Sequence, residues 1–152
     1  MKKVLIASDH AGFEIKKALI ESIKSVPWID LGATSKESVD YPDYADQLCQ
    51  RLTSEIKASE ATGNELETMG VLICGSGQGM AMRANRYPQI RAALAFNAEV
   101  TALAREHNNA NVLVLPGRYI TPQQAQEFFK IFVETQFAGG RHSARVAKLS
   151  KT

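Results

Sequence analysis

The stretch Ile73-Cys74-Gly75-Ser76-Gly77-Gln78-Gly79 turns an apolar strand into a helix and places a thiol at the junction. Backbone N–H groups that glycines leave accessible can surround an anion, and the first turn of a helix adds partial positive charge. The same field favours a thiolate over a thiol, so Cys74 lies where a cysteine can act as a base or a nucleophile. The loop therefore predicts chemistry on a small anionic substrate.

The glycine spacing separates this loop from the common nucleotide-binding loops. Gly75, Gly77 and Gly79 form G-x-G-x-G, whereas the dinucleotide fingerprint is G-x-G-x-x-G with an acidic residue after the next strand, and a P-loop ends in Lys-Ser or Lys-Thr. The sequence therefore disfavours nucleotide binding. A tight glycine turn without a ligand is the alternative that the loop alone leaves open.

Short apolar runs alternate with helical segments along the rest of the chain. The five runs that predict strands are Val4–Ala7, Trp28–Leu31, Val71–Cys74, Arg91–Ala95 and Asn111–Leu115. Buried strands that alternate with helices indicate an α/β fold, here a doubly wound, Rossmann-like three-layer sandwich with a five-stranded parallel sheet. We expect the strand order 2-1-3-4-5.

Sequence signals predict the helix boundaries in one segment and leave them less defined in another. Thr121 as N-cap, Pro122 at the first helical position and Gln124 form a capping box, and the helix that they open is expected to run to about Phe137. The segment Lys57–Thr68 is polar and has no firm apolar period. It is expected to be an exposed helix end followed by a loop.

Composition indicates an ordinary globular protein. The 152 residues, 45% hydrophobic and 22% charged, predict one domain over 1–152 with a basic tail over 139–152. A net charge of +2 does not indicate nucleic acid or a membrane surface. The apolar runs are too short for a signal peptide or a membrane span. Cys49 and Cys74 are expected to be reduced thiols of a cytoplasmic protein.

Polar residues follow four of the predicted strands. In a doubly wound sheet, ligands bind outside the carboxyl ends of the strands, near the point where the strand order reverses. The first, third, fourth and fifth strands would deliver Ser8–His10, Cys74–Gly79, Phe96–Asn97 and Pro116–Arg118 to one edge. This convergence predicts a binding site there.

Each candidate side chain also has a plain structural explanation. Cys74 alone could be a small buried apolar residue, and His107 could be a cation that ends a helix. Arg141 and Arg145 are four residues apart, so on a helix they would share a face and could bind one phosphate, or they could form a solvated tail.

A zinc site is the rival interpretation of the same residues. Asp9, His10, Cys74 and His107 have the right composition. No paired C-x-x-C or H-x-x-x-H spacing supports such a site, so we expect no metal.

Taken together, the motifs resemble the type-B ribose-5-phosphate isomerases, within the wider group that includes galactose- and allose-6-phosphate isomerases. The matching motifs, which occur in order over almost the whole chain, are Ser8–Phe13, Asp40–Ala45, Ile73–Gly79, Ala84–Arg86, His107–Val112 and Gly139–Val146. The resemblance fails between about Lys57 and Thr68, where this chain looks longer than is usual in the family.

The resemblance implies reversible interconversion of ribose 5-phosphate and ribulose 5-phosphate in the non-oxidative pentose phosphate pathway, with no metal or organic cofactor. It implies Cys74 as the base that moves a proton between C2 and C1, His107 as the residue that opens the ring, and Ser76 as an aid to proton transfer. The substrate contacts that it implies are Asp9, His10, Gly75, Ser76, Gly77, Gln78, Gly79, Asn108, Arg118, Arg141 and Arg145, with Tyr41 lining the pocket.

The resemblance also implies sites built from two subunits, hence a homodimer or a tetramer. Two alternatives stay open from the sequence. One is a hexose-6-phosphate isomerase acting on allose or galactose 6-phosphate, and the other is a non-catalytic module that binds a sugar phosphate.

Overall fold

A single five-stranded parallel sheet lies at the centre of the computed structural model, which describes residues 3–151. The strands are β1 (Lys3–Ser8), β2 (Trp28–Asp30), β3 (Thr68–Cys74), β4 (Ala92–Leu94) and β5 (Val112–Pro116). The helices are α1 (Phe13–Ser22), α2 (Tyr41–Thr62), α3 (Gln78–Ala84), α4 (Ala98–Glu106), α5 (Pro122–Glu134) and α6 (Arg141–Leu149). Each of the five apolar runs overlaps a strand, as predicted.

Helices cover both faces of the sheet, which confirms the three-layer sandwich. One apolar core joins the sheet to α1, α4 and α5, with Leu19 and Phe129 among its buried side chains. A second core on the opposite face joins the sheet to α2 and α3 through Leu48, Leu52 and Met80. Strands that are apolar on both faces require this double cover.

The observed strand order, β2-β1-β3-β5-β4, corrects the expected order 2-1-3-4-5. All five residues of β5 are buried, whereas the three residues of β4 are only half-buried. The longer apolar strand therefore occupies the interior position, and the short one forms the edge. As a result β3 pairs with β5, and Cys74 lies beside Pro116.

The helix ends agree with the sequence signals, with small shifts. The α5 capping box is confirmed: Thr121 and Gln124 exchange hydrogen bonds of 2.9 and 3.1 Å. This helix ends at Glu134 rather than near Phe137, because Thr135 is extended and the chain turns toward α4, where the Ala138 N–H donates to the Glu106 carbonyl (3.0 Å).

The polar segment Lys57–Thr68 is the end of α2 and a loop, as expected, although Thr68 already belongs to β3. Gly63 ends α2 in the left-handed conformation (φ 70°), which glycine adopts without strain. The basic tail forms α6, and none of the side chains of this helix is buried.

Cys49 and Cys74 are both free and buried. No helix within residues 3–151 combines the length and the apolar character that crossing a membrane requires.

Candidate active site

Three polar segments meet at the carboxyl edge of the sheet, as the sequence predicts. They follow β1, β3 and β5, and short backbone hydrogen bonds join them directly. The bonds run from Asp9 N–H to the Ile73 carbonyl (3.1 Å), from Gly117 N–H to the Cys74 carbonyl (2.8 Å) and from Arg118 N–H to the Gly75 carbonyl (3.0 Å). The fourth segment follows β4 at the same edge, where Asn97 caps α4 by accepting from Val100 N–H (2.8 Å).

The Cys74 thiol is buried at the end of β3, with 4% of the residue exposed. Burial raises the pKa of this thiol above its ordinary value, and the nearby Asp9 carboxylate adds to the effect. Backbone groups of Met80, Gly77 and Ser76 lower the pKa, so the loop favours the thiolate as predicted, but the net shift of the pKa is upward. The sequence does not show how deeply the sulfur lies, and that burial decides the net direction.

The glycine loop above the thiol combines a fixed backbone with two exposed side chains. Gly77 takes the left-handed conformation (φ 76°) at the start of α3, and a Cβ there would collide with Leu94. The Tyr41 ring packs directly on Gly79, so a side chain at that position would meet the ring. Ser76 and Gln78 are exposed, and they face solvent from the loop that lies over Cys74.

Asp9 and His10 are held in place by backbone amides. The Asp9 carboxylate is buried and accepts from Ala11 N–H (2.9 Å) and Gly12 N–H (3.0 Å). His10 Nδ1 accepts from Val39 N–H (3.2 Å). A ring nitrogen that accepts carries no proton, so Nε2 is the nitrogen of His10 that can donate to a ligand.

His107 and Asn108 lie at the opposite edge of the sheet. They follow α4, which runs antiparallel to the strands and ends beside the amino end of β5. The His107 N–H closes the helix on the Leu103 carbonyl (2.9 Å), which confirms its structural role as the C-cap. The His107 imidazole also stacks on His142, with ring centroids 4.3 Å apart and planes 10° from parallel.

Helix α6 carries its two arginines along this same amino edge. The His107–His142 stack fixes its first turn beside the end of α4, and Ser150 after its last turn lies near the amino end of β3. Arg141 and Arg145 are exposed and share a helical face, as their spacing predicts.

The predicted site residues thus fall into two groups that one chain does not bring together. The carboxyl edge carries Asp9, His10, Cys74, Gly75, Ser76, Gly77, Gln78, Gly79 and Arg118. The amino edge carries His107, Asn108, Arg141 and Arg145. The five residues of β5 alone separate the two edges by about 16 Å.

The four residues of the rival zinc site are divided in the same way, because His107 is at the amino edge and the other three are at the carboxyl edge. Within residues 3–151, no group of three histidine, cysteine or acidic side chains has a geometry that could hold a metal ion.

An ion-pair network that sequence reasoning missed holds α3, and with it the glycine loop, against α2. Arg83 binds Asp46 with two hydrogen bonds (2.6 and 2.9 Å), and the Tyr87 hydroxyl donates to the same carboxylate (2.7 Å). These bonds hold the pKa of Asp46 below its usual value, with the Arg83 contact contributing most. No local signal joins residues 37 positions apart. The stack of His142 on His107 was missed for the same reason.

Comparisons with known proteins point to one family. The model of the family described as ribose/galactose isomerase matches residues 4–149. The crystal structure of a ribose 5-phosphate isomerase from Thermotoga maritima is 44% identical, with a TM-score of 0.88 over 99% of each chain. Ribose-5-phosphate isomerase B from Mycoplasma genitalium with bound ribulose-5-phosphate is 36% identical, with a TM-score of 0.86 over 97% of this chain and 93% of that one. Ribose-5-phosphate isomerase B of Escherichia coli is 34% identical over 152 residues, 99% of this chain and 95% of that protein.

Proposed function

The chain belongs to the ribose/galactose isomerase family and is a sugar-phosphate isomerase, and from this premise we propose that it interconverts D-ribose 5-phosphate and D-ribulose 5-phosphate. The observation that carries the proposal is the buried thiol of Cys74 beneath the glycine loop, at the point where β1, β3 and β5 end together. The relatives named as ribose-5-phosphate isomerases support the choice of a pentose phosphate. The reaction would serve the non-oxidative pentose phosphate pathway.

Cys74 is proposed to move one proton between two carbons. As a thiolate it takes the proton from C2 of the open-chain aldose, so the C2–H bond breaks and an S–H bond forms. The electron pair moves onto the C1 carbonyl oxygen, which gives an enediolate. The thiol then returns a proton to C1, and the ketose results with no external oxidant or reductant. The backbone N–H groups of Gly75–Gly79 stabilise the negative oxygen, and Ser76 assists proton transfer between the two oxygens.

The raised pKa of Cys74 suits this step. A carbon-bound hydrogen is a very weak acid, so a base with a raised pKa abstracts it faster than a weak base would. The cost is that most of the thiol is protonated near neutral pH. The thiol must therefore lose its proton before it can act as the base, and the rate at a given pH reflects the small thiolate fraction.

The residues proposed for ring opening, hydroxyl binding and phosphate binding are divided between the two edges of the sheet. His107 would protonate the ring oxygen of the furanose, and Asp9 and Asn108 would bind sugar hydroxyls. The residues proposed to bind the phosphate end are His10, Arg118, Arg141 and Arg145. A guanidinium pair suits a phosphate because each can donate two parallel hydrogen bonds.

We infer that a second copy of the chain completes each site. The two groups of residues are about 16 Å apart along β5, which is further than a five-carbon sugar phosphate reaches. Tyr41, Phe96 and Tyr119 surround the carboxyl edge with 39%, 60% and 75% of their surface exposed. Large exposed apolar side chains of this kind are typical of a protein interface. A two-fold axis that places the amino edge of one copy on the carboxyl edge of the other would produce two identical sites.

Sedimentation equilibrium tests the assembly directly. We expect a native mass of two or four times 16.7 kDa. A fully active monomer would contradict the shared site while leaving the chemistry of Cys74 untouched.

Isotope exchange tests the proposed reaction. Incubation with ribose 5-phosphate in deuterium oxide should place deuterium on C1 of the product and C2 of the recovered substrate, as followed by proton NMR, and a chelator should not change the rate. Binding of ribose 5-phosphate without exchange would contradict the proposal. The family description includes galactose isomerases, so allose and galactose 6-phosphate belong in the same panel. A higher kcat/KM on either hexose phosphate would make the second candidate function the correct one.

A further inference from the structure

A second pocket lies at the amino edge of the sheet, at the other end of β3 from Cys74. Its volume is about 440 Å³, which is in the range of pockets that bind metabolites. Met69 near the start of β3 and Asn111 just before β5 line it. Glu60 near the end of α2 and Glu65 in the loop that follows also line it. The proposed isomerase site uses none of these residues.

Two arginines line this pocket, Arg91 just before β4 and Arg105 on α4. Arg105 is buried, with 6% of its surface exposed, and its guanidinium donates to the carbonyls of Ala110 (2.6 Å) and Thr135 (3.4 Å) and to the Asn109 side chain (2.9 Å). Arg91 is half-buried and donates from Nε to the Asn109 carbonyl (2.8 Å). Within residues 3–151, Nη2 of Arg105 and both terminal nitrogens of Arg91 have no hydrogen-bond acceptor.

The positive charge of this pair is not neutralised inside the chain. Neither guanidinium forms an ion pair with a carboxylate of residues 3–151, whereas four other basic side chains at the sheet, α1, α2 and α3 do: Lys3, Lys16, Arg51 and Arg83. Burial lowers the pKa of both arginines, and the charge of Arg91 lowers that of Arg105 further. Two neighbouring cations with reduced access to water are costly, and an oxyanion between them would remove much of that cost.

We propose that this pocket binds a small molecule through a phosphate or carboxylate group held by Arg91 and Arg105. Arg91 can donate a pair of parallel hydrogen bonds to such an oxyanion from its two terminal nitrogens, and Arg105 can add one from Nη2. Glu60 and Glu65 are exposed in the lining of the same pocket and would repel a second negative charge. They can accept hydrogen bonds from hydroxyl or ammonium groups. The ligand therefore carries its anionic group at one end and hydrogen-bond donors at the other.

Titration calorimetry with inorganic phosphate tests the site without requiring turnover, so its result is independent of the isomerase proposal. The background is the full-length double variant Arg141→Ala/Arg145→Ala, which removes the two exposed arginines of α6. This background should fold, because no α6 side chain is buried. We expect it to bind phosphate, and Arg91→Gln in that background to weaken the binding by about tenfold or more, the effect of losing a charge-assisted pair.

Arg86→Gln is the matched control, since Arg86 is exposed and does not line the pocket. It should leave phosphate binding within about twofold, as expected for an exposed charge in a high-dielectric environment. Glu65→Gln should strengthen binding by a few-fold by removing a like charge, and this exposed substitution tests the site even if Arg91→Gln unfolds the protein.

Three results would overturn the proposal. They are the absence of phosphate binding in the background variant, equal weakening by Arg91→Gln and Arg86→Gln, and unchanged or weaker binding after Glu65→Gln. If these results support the site, the same background variant can be titrated with monophosphorylated sugars and, separately, with amino acids. The tighter-binding class would decide between phosphate and carboxylate ligands.

Discussion

The two edges of the sheet hold different parts of the predicted chemistry. At the carboxyl edge a buried thiol lies beneath a glycine loop, with exposed aromatic rings around it. At the amino edge the chain gathers basic and imidazole side chains on α4, α6 and the start of β4. These are Arg91, Arg105, His107, Arg141, His142 and Arg145.

The difference shows why the two functions are separated within one chain. A base that removes a proton from carbon gains from a dry site, where burial keeps its pKa high. A permanent cation beside the thiol would lower that pKa and weaken the base. Arg118 packs on Gly75 at the same edge but is not among the groups that shift the pKa of Cys74, and Arg141 and Arg145 lie at the far edge. Under the proposed assembly, the α6 arginines of a second copy would bind the substrate phosphate at this edge.

The largest effect is expected from removal of the thiol. Cys74→Ala should lower kcat and the rate of deuterium exchange at C2 by about 10³-fold, because a positioned base contributes roughly 10²–10⁴. The measurement is NMR exchange on ribose 5-phosphate. Cys49→Ala is the control, since Cys49 is fully buried among apolar residues and burial raises its pKa to about 12. Full turnover by Cys74→Ala would show that Cys74 is not the base.

The second-largest effect is expected from a substitution in the glycine loop. Gly77→Ala places a Cβ against Leu94 at a residue with φ 76°, so the loop amides must shift. We expect about 10²-fold loss in kcat, the scale of losing one oxyanion donor. Gly63→Ala is the matched control, because its φ is 70° but nothing lies within 4 Å of the added Cβ. Gly63→Ala should lose about 1–2 kcal/mol of unfolding free energy because alanine disfavours the left-handed conformation, and Gly77→Ala should lose more because its Cβ also meets Leu94. An equal loss of kcat in the two would contradict a role for the loop amides.

Mixing two inactive variants tests whether the edges of different copies meet. Cys74→Ala and His107→Asn each damage one edge. A mixed dimer would hold one doubly damaged site and one intact site if every site is shared between copies. Equal mixing after subunit exchange should therefore restore about a quarter of wild-type activity on ribose 5-phosphate, since half of the dimers are mixed and one of their two sites is intact. If a mixture that is shown to contain mixed dimers recovers no activity, Cys74 and His107 would have to act in a site formed by one chain.

The smallest effect concerns pH. Because the pKa of Cys74 is raised, the thiolate fraction should still increase through neutral pH and above the ordinary pKa of a cysteine. With ribulose 5-phosphate, which is open-chain because its C5 oxygen carries the phosphate, no ring-opening acid is needed. We expect kcat/KM for this substrate to rise about tenfold per pH unit between pH 7 and 8. A profile that is flat across this range would mean that the thiolate already exists in the resting protein.

Much of the carboxyl edge could be predicted from the sequence, because it depends on local order. The turn at Gly75–Gly79 follows an apolar run, and the carboxyl ends of parallel strands must share an edge. The convergence of Asp9, Cys74 and Arg118 therefore required only the recognition of the strands. The capping box at Thr121 was equally readable, because its two partners are three residues apart.

The order of the last two strands could not be read in the same way. Both Ala92–Leu94 and Val112–Pro116 have strand-like sequences, and their neighbours depend on how each packs between helices. The depth of Cys74 is a similar case. The glycines predict the loop. The burial that decides the direction of the thiol pKa, however, arises because β1, β5 and α3 pack around Cys74.

The sequence by itself determined the layered α/β fold and the chemical character of the candidate residues, since periodicity, capping and glycine spacing act over a few positions. It also located the family resemblance, which the comparisons confirmed. Only the tertiary structure decided that the thiol lies at one edge and that His107 and the α6 arginines lie at the other. That separation depends on the direction in which α4, α5 and α6 return along the sheet, which is a property of long-range packing.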